Sequence, residues 1–375
     1  ETLHYRVAIP RGHAPGLYWY HPHSHGESFY EVTNGMSGAI VVEGIERHLP
    51  ALAAMRERVI VLRDVPGGPG FVDDDMPMTG MVGATRGRRI GRPAAGKPCR
   101  AEQGLQTTLN RQPAARIGIR PGERQFFRVV NASAARYFDL SVDGSPLDVV
   151  ALDGVALDAA QGNAPVRRVS HLLLPPAGRA EFVVTAPDHA TVLRSACVDT
   201  GKAGDAAPAV VLAQLDDPAH LLGASPLPVG VAASAAPIVA APGNPPAIAG
   251  PLPRPAARRR IRFTEDDRGF YINGRSYAMD APPLVVARSG TVEEWTVENA
   301  TDEDHAFHIH QVHFLTEAVD DAPAHVWLDT VNVRPHRRAR LLLDFRDPIV
   351  RGTFLFHCHI LDHEDQGMMA TIRVE

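Results

Sequence analysis

Apolar positions along the chain recur with a period of two or fall in short β-branched runs. Residues 57–64, 125–130, 180–185, 291–298 and 338–345 carry this pattern. Alternate side chains of a strand share a face, so each run predicts a strand. Turn signals separate the runs: Pro66-Gly67-Gly68, Pro121-Gly122, Asp143-Gly144, Asp153-Gly154 and Asn273-Gly274. Several short strands at this spacing predict an all-β protein made of sandwiches or barrels. Helical turns are expected around residues 50–56 and 218–222.

Composition agrees. Gly and Pro number 32 each in 375 residues, above the roughly 12% of average usage, which favours turns over long helices. The length suggests two to four domains. Ten prolines lie between Asp217 and Arg258, with Ala and Gly filling most of the rest. Such a stretch is semi-extended and has no repeating apolar face, so residues 221–258 are expected to be a linker. A second boundary is expected after the strand at residues 39–42. The expected division is therefore 1–48, 49–220, the linker, and 259–375. The first piece is too short to own a core and must be the tail of a larger domain or lean on its neighbours. Residues 65–104, with many Gly and several Arg, read as a long surface loop inside the middle domain.

The formal net charge is −5, from 38 Lys and Arg against 43 Asp and Glu. No long basic stripe is present, and the clusters at Arg258–Arg260 and Arg337–Arg338 read as solvated faces, so nucleic acid is not an expected partner. No stretch approaches the roughly 18–20 apolar residues of a membrane helix. The chain opens with Glu1 and carries no signal-peptide pattern, and a native start upstream of it is expected. The three cysteines are too few for a disulfide scaffold; whether Cys99 and Cys197 pair is left open.

The 18 histidines are unevenly spread. Three lie in His21-Pro22-His23-Ser24-His25, three between His305 and His310, and three between His357 and His363. Imidazoles repeated two apart have little structural rationale, whereas metal binding needs that density. Chance would produce the template H-C-H-x3-H-x4-M at Met368 in roughly one chain of this length in a hundred thousand, so it counts as a specific motif. Residues 352–356 read as a strand running into the cluster. His357 and His359 then point one way and Cys358 the other. His363 and Met368 follow in an expected loop that folds back to the cysteine side. A thiolate, two imidazoles and a distant thioether form the ligand set of a blue copper centre, with His305 as the second imidazole. Zinc is the main metal alternative, but a long axial thioether does not suit it. By the same alternation His21, His23, His308 and His310 would join His357 and His359, giving six imidazoles without sulfur.

The segments Gly16–His23, Gly38–Gly44, Val292–Asn299, His305–His310, Leu328–Val333 and Gly352–Met369 resemble the multicopper oxidases, a family that includes laccases and bacterial cuprous oxidases. The resemblance implies tandem cupredoxin-like Greek-key domains, the first incomplete and the last holding the type 1 copper. It implies four coppers in the intact family member. His305, Cys358, His363 and Met368 look like the type 1 ligands, His308 like a type 2 ligand, and His21, His23, His310, His357 and His359 like type 3 ligands. Glu364 matches a position that relays protons in bacterial relatives; its other reading is an ordinary exposed carboxylate. The family's upstream HxHG segment has no counterpart here, which leaves eight of ten expected imidazoles and suggests an N-terminally truncated three-domain enzyme. His25 is an alternative source of a ligand. His305 is followed by Ala306 where the family usually has Pro.

The implied activity is one-electron oxidation of phenols, aromatic amines or metal ions, coupled to four-electron reduction of dioxygen to water. The alternative is a copper-binding electron-transfer protein without oxygen chemistry. A scaffold protein has no need of a thiolate between imidazoles, and copper nitrite reductase chemistry fits poorly with paired type 3 ligands. The resemblance implies a periplasmic or secreted location. One further stretch, Asp73–Asp75 with Met76, Met78 and Met81, reads either as a mobile loop or as a lure for cuprous ions.

Overall fold

Period-two patterning produces strands over about half of what the computed structural model describes, namely residues 4, 6–10, 12–67, 99, 105–159, 162–220 and 252–375. The five runs that predict strands lie in Arg56–Pro66, Arg124–Asn131, Arg179–Thr185, Val292–Asn299 and Arg338–Asp344. The expected helical turns are short 3-10 turns at Pro50–Ala54 and Pro218–His220. The linker reading and the Asp/Met stretch at residues 73–81 lie outside the described residues, apart from residues 252–258. The same holds for the long-loop reading beyond its first residues and Cys99; Val65 and Pro66 end a strand instead.

Four larger sheets form two face-to-face pairs. In the middle region a seven-stranded sheet runs in the order Arg167–Val169, Leu147–Leu152, Arg179–Thr185, Arg124–Asn131, Arg56–Pro66, Leu105–Leu109, with Val155–Ala156 attached to Leu147–Leu152. Its partner runs Leu172–Leu174, Phe138–Val142, Thr191–Ala196, Val210–Asp216, Ala115–Gly118. Buried Phe127, Phe182, Phe138 and Leu193 fill the space between them, as expected where inward-facing alternate residues of two sheets interdigitate.

The C-terminal region repeats this plan. One sheet runs Gly269–Ile272, Ala257–Asp266, Val292–Asn299, Arg338–Asp344, Phe314–Ala318, Trp327–Leu328. The other runs Val285–Ala287, Met369–Val374, Gly352–Cys358, His305–Ile309, Thr330–Val333. Trp295, Phe263, Phe307, Phe314 and Phe356 are fully buried between them. Transfer of such rings from water contributes roughly 1.5–3 kcal/mol each.

The N-terminal piece owns only the hairpin of Gly16–Tyr20 with Gly38–Val42. Leu17 and Trp19 pack on Val59, Val61, Val130 and Ala132, so the piece leans on the middle sheet. Ile45, Leu49, Leu52 and Met55 do the same against Phe126, Val150 and Val183. Gly16 faces the backbone of Gly154 so closely that a Cβ would lie 2.4 Å from its carbonyl oxygen, and this contact requires glycine. Helix Ser28–Thr33 then packs Val32 on Leu361 beside the C-terminal cluster.

Cys99 and Cys197 form a disulfide across 98 residues of sequence. It joins the chain before Leu105–Leu109 to the end of strand Thr191–Ala196.

Candidate metal centre

Strand pairing sets the site. His305–Ile309 pairs antiparallel with Gly352–Cys358, with Phe307 opposite Cys358 and His308 opposite His357. Directly opposed residues share a face, and neighbours along each strand take the other face. His305, Phe307 and Cys358 therefore share one side, while His308 and His357 share the opposite one.

On the first side, Cys358 Sγ lies 3.5 Å from His305 Nδ1 and 3.8 Å from His363 Nδ1. The two imidazole nitrogens are 3.1 Å apart. All three residues are buried. His363 sits on the short helix Leu361–Asp365, not in the expected loop. The helix turns the chain back, and Met368 N donates to His363 O. Cys358 N donates to Met368 O at 3.0 Å, which brings the buried Met368 to this cluster's backbone. Phe270 stacks on the His363 ring at 4.1 Å. Thr301 Oγ1 meets His305 Nε2 at 2.9 Å, and Glu303 Oε1 lies 3.5 Å from His363 Nε2.

Burial pushes the Cys358 thiol up, against the opposing backbone N–H groups of Ile360 and Ala306. A thiol in this setting becomes a strong ligand when a metal ion displaces its proton. The donor set, one soft sulfur with two imidazoles, suits copper.

On the second side, His23, His310 and His357 aim nitrogens at one another. His310 Nε2 and His23 Nε2 lie 3.2 and 3.5 Å from His357 Nε2. The His21 and His308 rings lie 5.1 and 5.3 Å from the His359 ring. Trp19 stacks on His21 at 4.4 Å. Neither nitrogen of the fully buried His359 has a hydrogen-bond partner. A buried polar atom without a partner is costly, and a metal ion supplies what this ring lacks. Burial, and after it repulsion from the neighbouring rings, holds His21 and His23 down to about 4. The six predicted imidazoles thus come together. Burial also holds His308, His310 and His359 down, whereas at His357 the Glu364 carboxylate outweighs burial and raises the ring. His25 is exposed, with its ring 5.7 Å from that of His23 and its Nε2 3.3 Å from Tyr277 Oη.

Glu364 is buried, against the reading as an exposed carboxylate. Its Oε2 lies 2.9 Å from His357 Nδ1, its Oε1 3.5 Å from His23 Nδ1, and Ser28 Oγ donates to Oε1 at 3.2 Å. Asp365, one residue on, accepts from the backbone N–H groups of Gly26, Ser28 and Phe29. It ties the segment after His23 to the helix of His363.

Sequence spacing finds all the histidines but not Ser28, Thr301, Glu303 or Asp365. None lies in a repeated pattern, and each reaches the site only through tertiary packing. An open cleft of about 810 Å³ borders the imidazole group, lined by Trp19, His21, His308, His310, Trp327 and Asp329 among others.

Paired β-sandwiches carrying a Cys–His–His centre back to back with six imidazoles define a cupredoxin-like copper oxidoreductase. Family profiles described as multicopper oxidase match residues 251–375 and 91–202. The chain belongs to the multicopper oxidase family. It is 23% identical to the multicopper oxidase mco of Staphylococcus aureus over 366 residues, spanning 95% of this chain and 67% of that relative. It is 28% identical to a laccase of Haloferax volcanii over 281 residues, 67% of this chain and 44% of that relative. Among solved structures, a multicopper oxidase of Campylobacter jejuni described as a metallo-oxidase superposes with a TM-score of 0.72 at 25% identity, covering 99% of this chain and 74% of that one. McoA of Aquifex aeolicus, at 21% identity, shares the fold with a TM-score of 0.70 over 96% of this chain and 76% of its own.

Proposed function

We propose that the protein oxidises a small reducing substrate, a phenol, an aromatic amine or a reduced metal ion, one electron at a time, and passes four electrons to dioxygen to give water. The observation that carries this reading is the alternation His357-Cys358-His359. One three-residue segment belongs to both centres, so a single peptide unit on either side of Cys358 would connect the sulfur to an imidazole of the other group.

His305, Cys358, His363 and Met368 are assigned to the type 1 copper, His308 to the type 2 copper, and His21, His23, His310, His357 and His359 to the type 3 pair. Bound copper supplies one-electron transfer at the first centre and binding and reduction of dioxygen at the second. The protein's own residues do the rest. Neutral imidazoles offer lone pairs to metal, and Phe270 and Phe263 keep water from the thiolate centre. Glu364 holds a proton acceptor beside His23 and His357, where the four protons taken up with each dioxygen would be needed.

The division into 1–48, 49–220, 221–258 and 259–375 is proposed as the domain plan. A periplasmic or secreted location is proposed as well, supported by the Cys99–Cys197 disulfide, since such bonds persist in oxidising compartments. Among the described residues no helix is long and apolar enough to cross a membrane.

The test is copper per chain, visible and electron paramagnetic resonance spectra, and oxygen uptake with a phenolic and a cuprous substrate. Close to four coppers with steady uptake supports the oxidase. A second reading, electron transfer alone, is favoured by one observation: among the described residues only His23, His310 and His357 converge as a three-nitrogen set. It predicts a blue centre that cycles with chemical reductants and consumes no oxygen.

A further inference from the structure

The middle region has no histidine cluster, yet it reaches the imidazole group through one buried arginine. Arg179, on strand Arg179–Thr185, is 2% exposed. Its guanidinium forks onto Asp329, with Nη1 and Nη2 donating to Oδ1 and Oδ2 at 2.6 Å each. The same group donates to Asp153 O at 2.9 Å, to Ala177 O at 3.1 Å and to Leu17 O at 3.4 Å. Asp153 closes the other side. Its Oδ1 accepts from Arg179 N, and its Oδ2 accepts from the backbone N–H groups of Asp329 and Thr330, both at 3.1 Å.

The held peptide is the one that His308 uses. His308 Nδ1 donates to Asp329 O at 2.9 Å and lies 3.0 Å from Thr330 Oγ1. That hydroxyl donates in turn to Asp329 Oδ1 at 2.8 Å, so its lone pairs face the imidazole N–H. The proton is thereby kept on Nδ1, which leaves the Nε2 lone pair for a metal. Partners of this kind fix the tautomer and orientation of metal-binding imidazoles. A bidentate guanidinium is suited to the task because its fork has one geometry with a carboxylate. Leu17, held by the same arginine, lies on the strand that runs into His21 and His23.

We propose that Arg179 is a positioning residue: through Asp329 it fixes the ring of His308 and keeps its proton on Nδ1, so that the ligand-free middle region sets the geometry of the copper cluster. The metal side of this rests on the assignment of His308 as a copper ligand. No residue count or motif points to Arg179, because it is separated by 150 residues from the aspartate that it holds.

The test uses the whole chain with nitrogen-labelled histidine, and His308 is assigned by the signal lost in His308→Gln. In the copper-free wild type, His308 should carry its proton on Nδ1. Cuprous ion added without oxygen should shift its Nε2 resonance. The variant Arg179→Gln/Asp329→Asn keeps the local net charge and removes the fork. It should scramble the His308 tautomer and weaken the cuprous midpoint at His308 by about 10–100-fold. If that variant loses its fold, Arg179→Lys, which keeps charge without the fork, is read in the same way. A folded variant with the wild-type tautomer and midpoint overturns the proposal. A wild-type His308 that holds its Nδ1 proton, loses it in the variant, and never responds to cuprous ion supports the positioning role and removes the ligand assignment alone.

Discussion

Cys358 Sγ and His305 Nδ1 stand 3.5 Å apart, although 53 residues separate them in sequence. Strand register makes this contact. Cys358 is opposite Phe307, and His305 lies two residues from Phe307 on the same face. Cys358→Ser keeps the small buried side chain but replaces a soft ligand with a hydroxyl. The expected outcome is a folded protein without blue absorption and without substrate oxidation. A serine variant that stayed blue would remove Cys358 from the proposed type 1 set.

Met368 is buried and returns its backbone carbonyl to Cys358 N. Met368→Leu conserves volume and removes the thioether, so stability should change by less than about 1.5 kcal/mol. Blue absorption should remain and the reduction potential should rise, because a weak axial donor to the oxidised metal is lost. Redox titration of the blue band checks this; an equal potential in variant and wild type counts against Met368 as the axial ligand.

Glu303 Oε1 lies 3.5 Å from His363 Nε2, with both side chains nearly inaccessible. An ionised carboxylate there would favour the oxidised, more positive metal. Glu303→Gln keeps the shape and removes the charge, so the potential of the blue centre should rise, by an energy on the order of 1 kcal/mol. A fall in potential, measured by the same titration, would contradict this account.

Glu181 links the N-terminal hairpin to the middle sheet. Its Oε1 accepts from Leu17 N at 2.8 Å and its Oε2 pairs with Arg128 at 2.6 Å. Removing one partner of a buried pair costs about 3–5 kcal/mol. Glu181→Ala should therefore unfold at markedly lower denaturant concentration. It should also lower copper occupancy at His21 and His23 more than at Cys358. Chemical denaturation and copper analysis measure the two effects, and equal losses at both centres would argue against a local role.

The disulfide closes 98 residues of chain. Cys99→Ser/Cys197→Ser should lower stability by about 2–4 kcal/mol, mainly by freeing the unfolded chain. The blue band should be unaffected, because Cys358 is a free cysteine outside this bond. Thermal unfolding with and without reductant gives the comparison.

The sequence by itself determined the strands and which histidines, with one cysteine, fall in clusters. Period-two patterning marked Arg124–Asn131 and Val292–Asn299, because a strand's alternation is local and leaves a direct trace in residue type. The same alternation separated Cys358 from His357 and His359 before any pairing was known. Tertiary structure decided the rest. It put His363 on a helix, buried Glu364 between His23 and His357, joined Cys99 to Cys197, and brought Arg179 under Asp329. These relationships depend on which sheet lies against which, and on pairings across tens to hundreds of residues. A single charged residue in a strand looks the same in sequence whether it faces water or, like Arg179, is enclosed by two carboxylates beside His308.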